Sequence, residues 1–227
     1  MRILTTVFLT LFLAIPASAQ EEPKFGFLNM IHAIPEGGIC QILINGTNVN
    51  DAGFRPGDFT GGLMLKEGSH SIGIEFKDKE PVTGEIIIET GKTSAYAIFN
   101  HLAPDPKTKE PVNTIRIIRL QPASPGGYHL EAVSLSEGIK RIRIADRSFE
   151  LDYLKSVPIQ GWNGAPFTVT HGSEKLGSLA VEEKGSYVIL VGTNPDNKEG
   201  AFFFRHFEFE LPEWFRPKKD KPTDTNP

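Results

Sequence analysis

A single cysteine, Cys40, is all the thiol that this chain of 227 residues carries. One thiol closes no internal disulfide, so the fold has to hold by its packed core. Methionine is scarce, with three copies, and neither sign of charge dominates: 24 Lys and Arg stand against 28 Asp and Glu, for a formal net charge of −4. That mildly acidic balance excludes nucleic acid and an anionic membrane surface as main partners. Sustained apolar periodicity of 3.6 residues is rare, which argues against a helical body. Chemistry-bearing motifs are missing as well. There is no G-x-S-x-G elbow, no phosphate-cradling G-x-x-x-x-G-K-[ST] loop and no H-E-x-x-H pair. Asp51, Asp58, Glu67 and Glu75 lack calcium-loop spacing. His32, His70, His101, His129, His171 and His206 are scattered. These gaps lead to the expectation of a protein that is not an enzyme, with no cofactor, no metal site and no catalytic residue.

What the chain does have is 22 glycines, 17 prolines and 16 phenylalanines, a composition of strands and turns. Its first stretch reads as a signal peptide, residues 1–19. Arg2 is the lone charge, Ile3 to Ile15 the apolar segment, Pro16 a helix breaker and Ala17-Ser18-Ala19 the small-x-small cleavage pattern. The apolar segment is shorter than the ~20 residues of a bilayer span. Gln20 stands where a bacterial lipoprotein needs cysteine, and no later run is long and apolar. Removing residues 1–19 takes away Arg2 alone and leaves the chain one charge more negative. The expectation is a periplasmic or secreted protein with no membrane span in the mature chain.

The chain says nearly the same thing twice. Gly84 to Asn100 and Gly177 to Asn194 each give an apolar alternating run, a charged glycine turn and a second apolar run carrying a tyrosine. A polar Pro-Asp loop follows each, Pro104-Asp105 and Pro195-Asp196. The stretch 121–127, Gln-Pro-Ala-Ser-Pro-Gly-Gly, has linker composition. The pattern predicts an all-β fold of two tandem antiparallel β-sandwich modules, 24–120 and 128–215, before a disordered tail at 216–227. In the first module Ile72, Ile74 and Phe76 share the inward face of one strand. In the second, Ile142 and Ile144 do so. Asn45-Gly46 signals a hairpin, although Asn45-Gly46-Thr47 also fits a glycosylation acceptor. Thr47 to Gly62 and Ser148 to Gly164 read as long loops, and Ala201 to Leu211 as a last strand. That strand is either buried on both faces or an edge for docking. Each module approaches the lower size limit for an independent core, so the two are expected to pack together.

Four blocks carry a family resemblance. They are Met30-Ile31-His32-Ala33-Ile34-Pro35-Glu36, Cys40 to Gly46, Leu63 to Ile74 and Glu89 to Phe99. Residues 25–100 resemble an exported bacterial domain-of-unknown-function family that opens with V-H-A-x-P. The second copy matches loosely, with Ser134-Leu135-Ser136-Glu137 in place of the opening block. The resemblance implies immunoglobulin-like sandwiches in cell-envelope or secreted proteins, and no catalytic mechanism.

Candidate contacts then fall on the glycine-rich loops, since sandwich loops commonly carry recognition. Phe54, Arg55 and Asp58 lie in the first module's loop, Trp162 and Asn163 in the second's. Trp162 either stacks a sugar or peptide or folds back onto the sheet. His32 either caps a turn backbone or touches a ligand. Cys40, inside an apolar run, reads as a buried small hydrophobe. The leading functional reading is a structural or recognition element whose partner is an unidentified protein or glycan of the cell envelope. The rivals are a glycan- or small-molecule-binding module and a secreted hydrolase, which would need paired carboxylates in a cleft.

Overall fold

The computed structural model describes residues 24–209, apart from 78, 106, 125, 195 and 197. The expected leader at 1–19 and tail at 216–227 lie outside the described residues. The chain is all-β. Its first half holds β1 (Phe25–His32), β2 (Cys40–Ile44), β3 (Thr47–Asn48), β4 (Leu63–Lys66), β5 (Gly68–Phe76), β6 (Val82–Ile88), β7 (Thr93–Pro104) and β8 (Pro111–Arg119). The second half holds β9 (Tyr128–Ser134), β10 (Lys140–Ile144), β11 (Arg147–Leu151), β12 (Ser156–Pro158), β13 (Phe167–His171), β14 (Glu174–Leu179), β15 (Gly185–Thr193) and β16 (Glu199–His206).

These strands form four four-stranded sheets in two sequential groups. The orders are β4-β1-β7-β8 and β3-β2-β5-β6, then β12-β9-β15-β16 and β11-β10-β13-β14. Adding eight to each strand number converts the first pair of sheets into the second, so the repeat seen in the sequence is a repeat of topology. Register agrees residue by residue. Met30 pairs Tyr96, which pairs Arg119, and Leu130 pairs Tyr187, which pairs Arg205. Each arginine then reaches a glutamate just past the sixth strand of its module, Arg119 to Glu89 and Arg205 to Glu183.

Two of the four sheets are antiparallel throughout, as expected, and the other two are mixed. β1 runs parallel to β7, and β9 parallel to β15. After β1 the chain builds β2 and β3 in the opposite sheet, returns for β4, crosses again for β5 and β6 and enters β7 in the direction of β1, and such a crossover gives parallel neighbours. Two further expectations are corrected. The stretch 148–164, read as loop, contains β11 and β12. The polar loop expected to open at Pro104-Asp105 begins one residue later, because β7 runs on to Pro104. The last strand ends at His206, and residues 210–211 lie outside the described residues.

Alternation sorts the side chains into three layers of core. In the first module Leu28, Met30, Ile42, Ile74, Ile86, Tyr96 and Ile98 fill the space between its two sheets. In the second, Leu130, Ile142, Ile144, Val169, Tyr187 and Ile189 do the same. The expected inward faces of β5 and β10 are the buried ones. The third layer lies between the modules. Ile31, Ala95, Ala97 and Phe99 face Val133, Leu135, Val188, Leu190 and Phe204. β1, β7, β9 and β15 are therefore covered on both faces, which is why they read as nearly continuous apolar runs. Asn29 lies on the same face of β1 as Ile31, and its buried amide finds no hydrogen-bond partner among the described residues.

Loops complete the seal. Phe59 sets its ring edge-on against Phe204 at 6.1 Å. From the other side Tyr153 stacks on His101 at 5.6 Å, its hydroxyl 2.8 Å from His101 Nδ1. Glu36 takes an ion pair from Lys198 at 3.2 Å.

Cys40 lies fully inside the first core on β2, and burial pushes its thiol up to about 12. The native protein is expected to resist iodoacetamide at pH 8 for hours and to label completely in urea. Fast native labelling, followed by mass spectrometry, would show that β2 opens readily.

Candidate recognition site

Two groups of side chains carry the features expected of a contact surface. The first surrounds His32, at the end of β1. His32 is buried, its Nδ1 accepts from the Ile34 N–H at 3.3 Å, and its Nε2–H donates to the Gly38 carbonyl at 3.0 Å. These two bonds fix the neutral tautomer and close the turn in which Glu36 and Gly38 adopt positive φ. Burial holds its pKa down at about 4, with the backbone groups of Gly38 and His32 itself and the charge of Asp58 pulling upward against it. In the second module Ser134 serves the turn after β9, its hydroxyl donating to the Ser136 carbonyl at 3.0 Å.

The loop from Asn50 to Gly62 is stitched to this corner. Gly57 N–H donates to the His32 carbonyl at 2.8 Å, and His32 N–H to the Asp58 carbonyl at 3.0 Å. Asp58 Oδ2 accepts from the Arg55 N–H at 2.7 Å, which tightens the turn. Phe54 pairs with Cys40 by two backbone bonds, and its ring belongs to the first core. Of the three loop residues singled out from the sequence, Arg55 and Asp58 stand at the surface and Phe54 lies inside.

The second group surrounds Trp162. Its ring is half-buried and meets Tyr128, Phe167 and Tyr187, each nearly perpendicular, with centroids 5.7, 5.9 and 5.4 Å away. The indole Nε1–H donates to the Ala165 carbonyl at 2.9 Å, and Asn163 Oδ1 accepts from the Ala165 N–H at 3.1 Å. Trp162 thus folds back onto the sheet, yet it also lines a cleft of about 240 Å³ with Asp146, Arg147, Phe149, Asn163 and Pro166. Arg147 stacks over the Phe149 ring at 5.1 Å and donates to the Gln160 carbonyl at 2.7 Å. Its cation is therefore held at the cleft wall. Arg147 and Phe149 went unread in the sequence because their segment looked like loop. The alternation Arg147-Ser148-Phe149-Glu150-Leu151 was the available signal. Among the described residues, no hydrogen bond or ring contact joins the Trp162 group to Arg55 and Asp58.

A neighbouring cleft of about 210 Å³ is lined by Ser124, His129, Glu131, Gln160 and Ser186, among others. Glu131 is held above the usual carboxylate range by burial, with the Ser156 hydroxyl bond opposing. Among the described residues it is the only acidic side chain lining this cleft, so no pair of carboxylates of the glycosidase kind is assembled there among them. Among the described residues no group of three or more His, Cys, Asp or Glu is placed to hold a metal ion, and no helix is long and apolar enough to cross a membrane.

No family model matches this chain, and no curated protein does.

Proposed function

We propose that this chain is a non-enzymatic exported protein of two immunoglobulin-like modules, acting as a recognition or structural element of the bacterial cell envelope. Its leader-like first residues and its resemblance to an exported domain family motivate the location, periplasmic or outside the cell. The observation that carries the recognition reading is the cleft at Trp162. An indole braced by three aromatic edges is already ordered, so little entropy is lost when a ligand seats against it. Arg147, Asp146 and Asn163 supply polar groups beside that apolar wall. A sugar ring, with an apolar face and a hydroxyl rim, fits such a pairing.

The chain has two tryptophans, Trp162 and Trp214. A Trp214→Phe variant leaves Trp162 as the sole indole emitter. Its fluorescence is expected to change saturably with at least one member of an envelope oligosaccharide panel, and Arg147→Ala is expected to weaken that response about tenfold. A flat response to the whole panel would overturn the glycan reading and leave the structural one.

A further inference from the structure

The two modules differ at one equivalent place. Each sandwich ends, on one side, at two edge strands from opposite sheets: β6 and β8 in the first module, β14 and β16 in the second. The rows Ile44–Ile72–Gly84 and Ile144–Val169–Gly177 occupy matching register positions, so Gly84 and Gly177 are counterparts. Facing them, Ile98 pairs Ile117 and Ile189 pairs Phe203, so Ile117 and Phe203 are counterparts as well.

In the second module the seam is shut. A Cβ placed on Gly177 would lie 2.8 Å from the Phe203 ring and 3.1 Å from the Ala201 carbonyl. Only a glycine lets that ring lie flat across the seam, where it also meets Phe167 at 6.1 Å. In the first module the glycine is kept and the ring is gone. A Cβ on Gly84 would meet nothing nearer than Ile72 Cγ2 at 3.7 Å. The seam is open there. A groove of about 330 Å³ runs between β6 and β8 past Gly84, Ile86, Tyr96, Ile115 and Ile117. It continues into a wider mouth of about 530 Å³ that shares Val82 and Ile115 with it.

We propose that this seam is a peptide-binding groove that takes an extended segment of a partner protein, with one large aromatic side chain seated over Gly84. The second module supplies the template for the occupant: an aromatic residue on a strand is what fills the same slot when the chain provides its own. Both flanking strands are sheet edges, so an extended segment finds backbone donors and acceptors alongside the slot. This inference is independent of the Trp162 cleft and concerns a different module and ligand class.

The probe is a fluorescein-labelled synthetic peptide with the sequence of residues 199–207, Glu-Gly-Ala-Phe-Phe-Phe-Arg-His-Phe. The full chain is expected to bind it saturably, as read by fluorescence anisotropy. A peptide carrying Phe203→Ala is expected to bind at least about tenfold more weakly. Ile117→Phe, which restores the plug, and Gly84→Leu, which fills the slot from the other wall, are each expected to weaken binding about tenfold or more. Thermal melts establish that each variant is folded, and either one suffices for the test. Absence of saturable binding to the wild type, or binding that survives both substitutions in folded protein, overturns the proposal. Self-association of the wild type that Ile117→Phe abolishes would assign the seam to a second copy of this chain and overturn the partner reading too.

Discussion

Lowering the pH from 7.5 to 4 is expected to cost the fold on the order of 3 kcal/mol through His32 alone. The sign follows from the direction of its shift. An unfolded histidine titrates near 6.5, while in the native turn His32 is held down at about 4. Protonation therefore favours the unfolded chain. The stabilisation is fully present above pH 6.5 and drains away between there and about pH 4. The cause is desolvation: the ring is enclosed, Phe76 stands edge-on at 5.6 Å, and both ring nitrogens are committed to backbone groups. Of the charged groups that bear on it, Asp58 favours the cation and Lys79 opposes it. His101 and His206 are depressed in the same direction by burial and add to the slope. Urea unfolding of wild type and His32→Gln across this range measures the effect. The variant is expected to be less stable at pH 7.5 and to show a clearly shallower loss on acidification. A variant curve parallel to the wild type would remove His32 as the source.

The second large effect concerns the layer between modules. Phe204 is buried at its centre, against Phe59 and His206. Phe204→Ala is expected to cost roughly 3–5 kcal/mol, the usual range for deleting a buried aromatic ring. Ala97→Arg attacks the same layer differently, since Ala97 has no accessible surface and sits among apolar side chains. Its guanidinium must either be buried unpaired or force the sheets apart. Calorimetry is expected to show one cooperative transition for the wild type and two separated transitions for Ala97→Arg. A single transition of unchanged midpoint for both variants would mean that the modules are coupled by something other than this layer.

How much of this could be read from the residues varied with how local the physics was. Alternation in Ile72-Gly73-Ile74-Glu75-Phe76 is a property of one strand, and it gave the buried face directly. Asn45-Gly46 likewise names its own hairpin, since both residues accept positive φ. The parallel pairing of β1 with β7 joins residues more than sixty positions apart, and no local pattern reports it. β11 was hidden by its brevity and by the charges of Arg147 and Glu150 on its exposed face, and β12 by being only 3 residues long. Phe54 looked like a loop aromatic because its partner, Cys40, is distant in sequence. Trp162 was open between stacking a ligand and folding back onto the sheet; its ring folds back, and it also lines a cleft. The open seam at Gly84 was invisible for another reason. It exists only as a difference between two copies, and the sequence aligns their glycines without showing which one has a ring above it.

The ring of Phe209 lies 5.5 Å from that of Phe27, and its amide donates to Thr93 Oγ1 at 3.0 Å. The described chain therefore departs close to where it arrives. Whatever is joined to either end pulls on one corner of the body, as a handle does. A tether there would leave the opposite corner swinging free, at the full reach of the molecule.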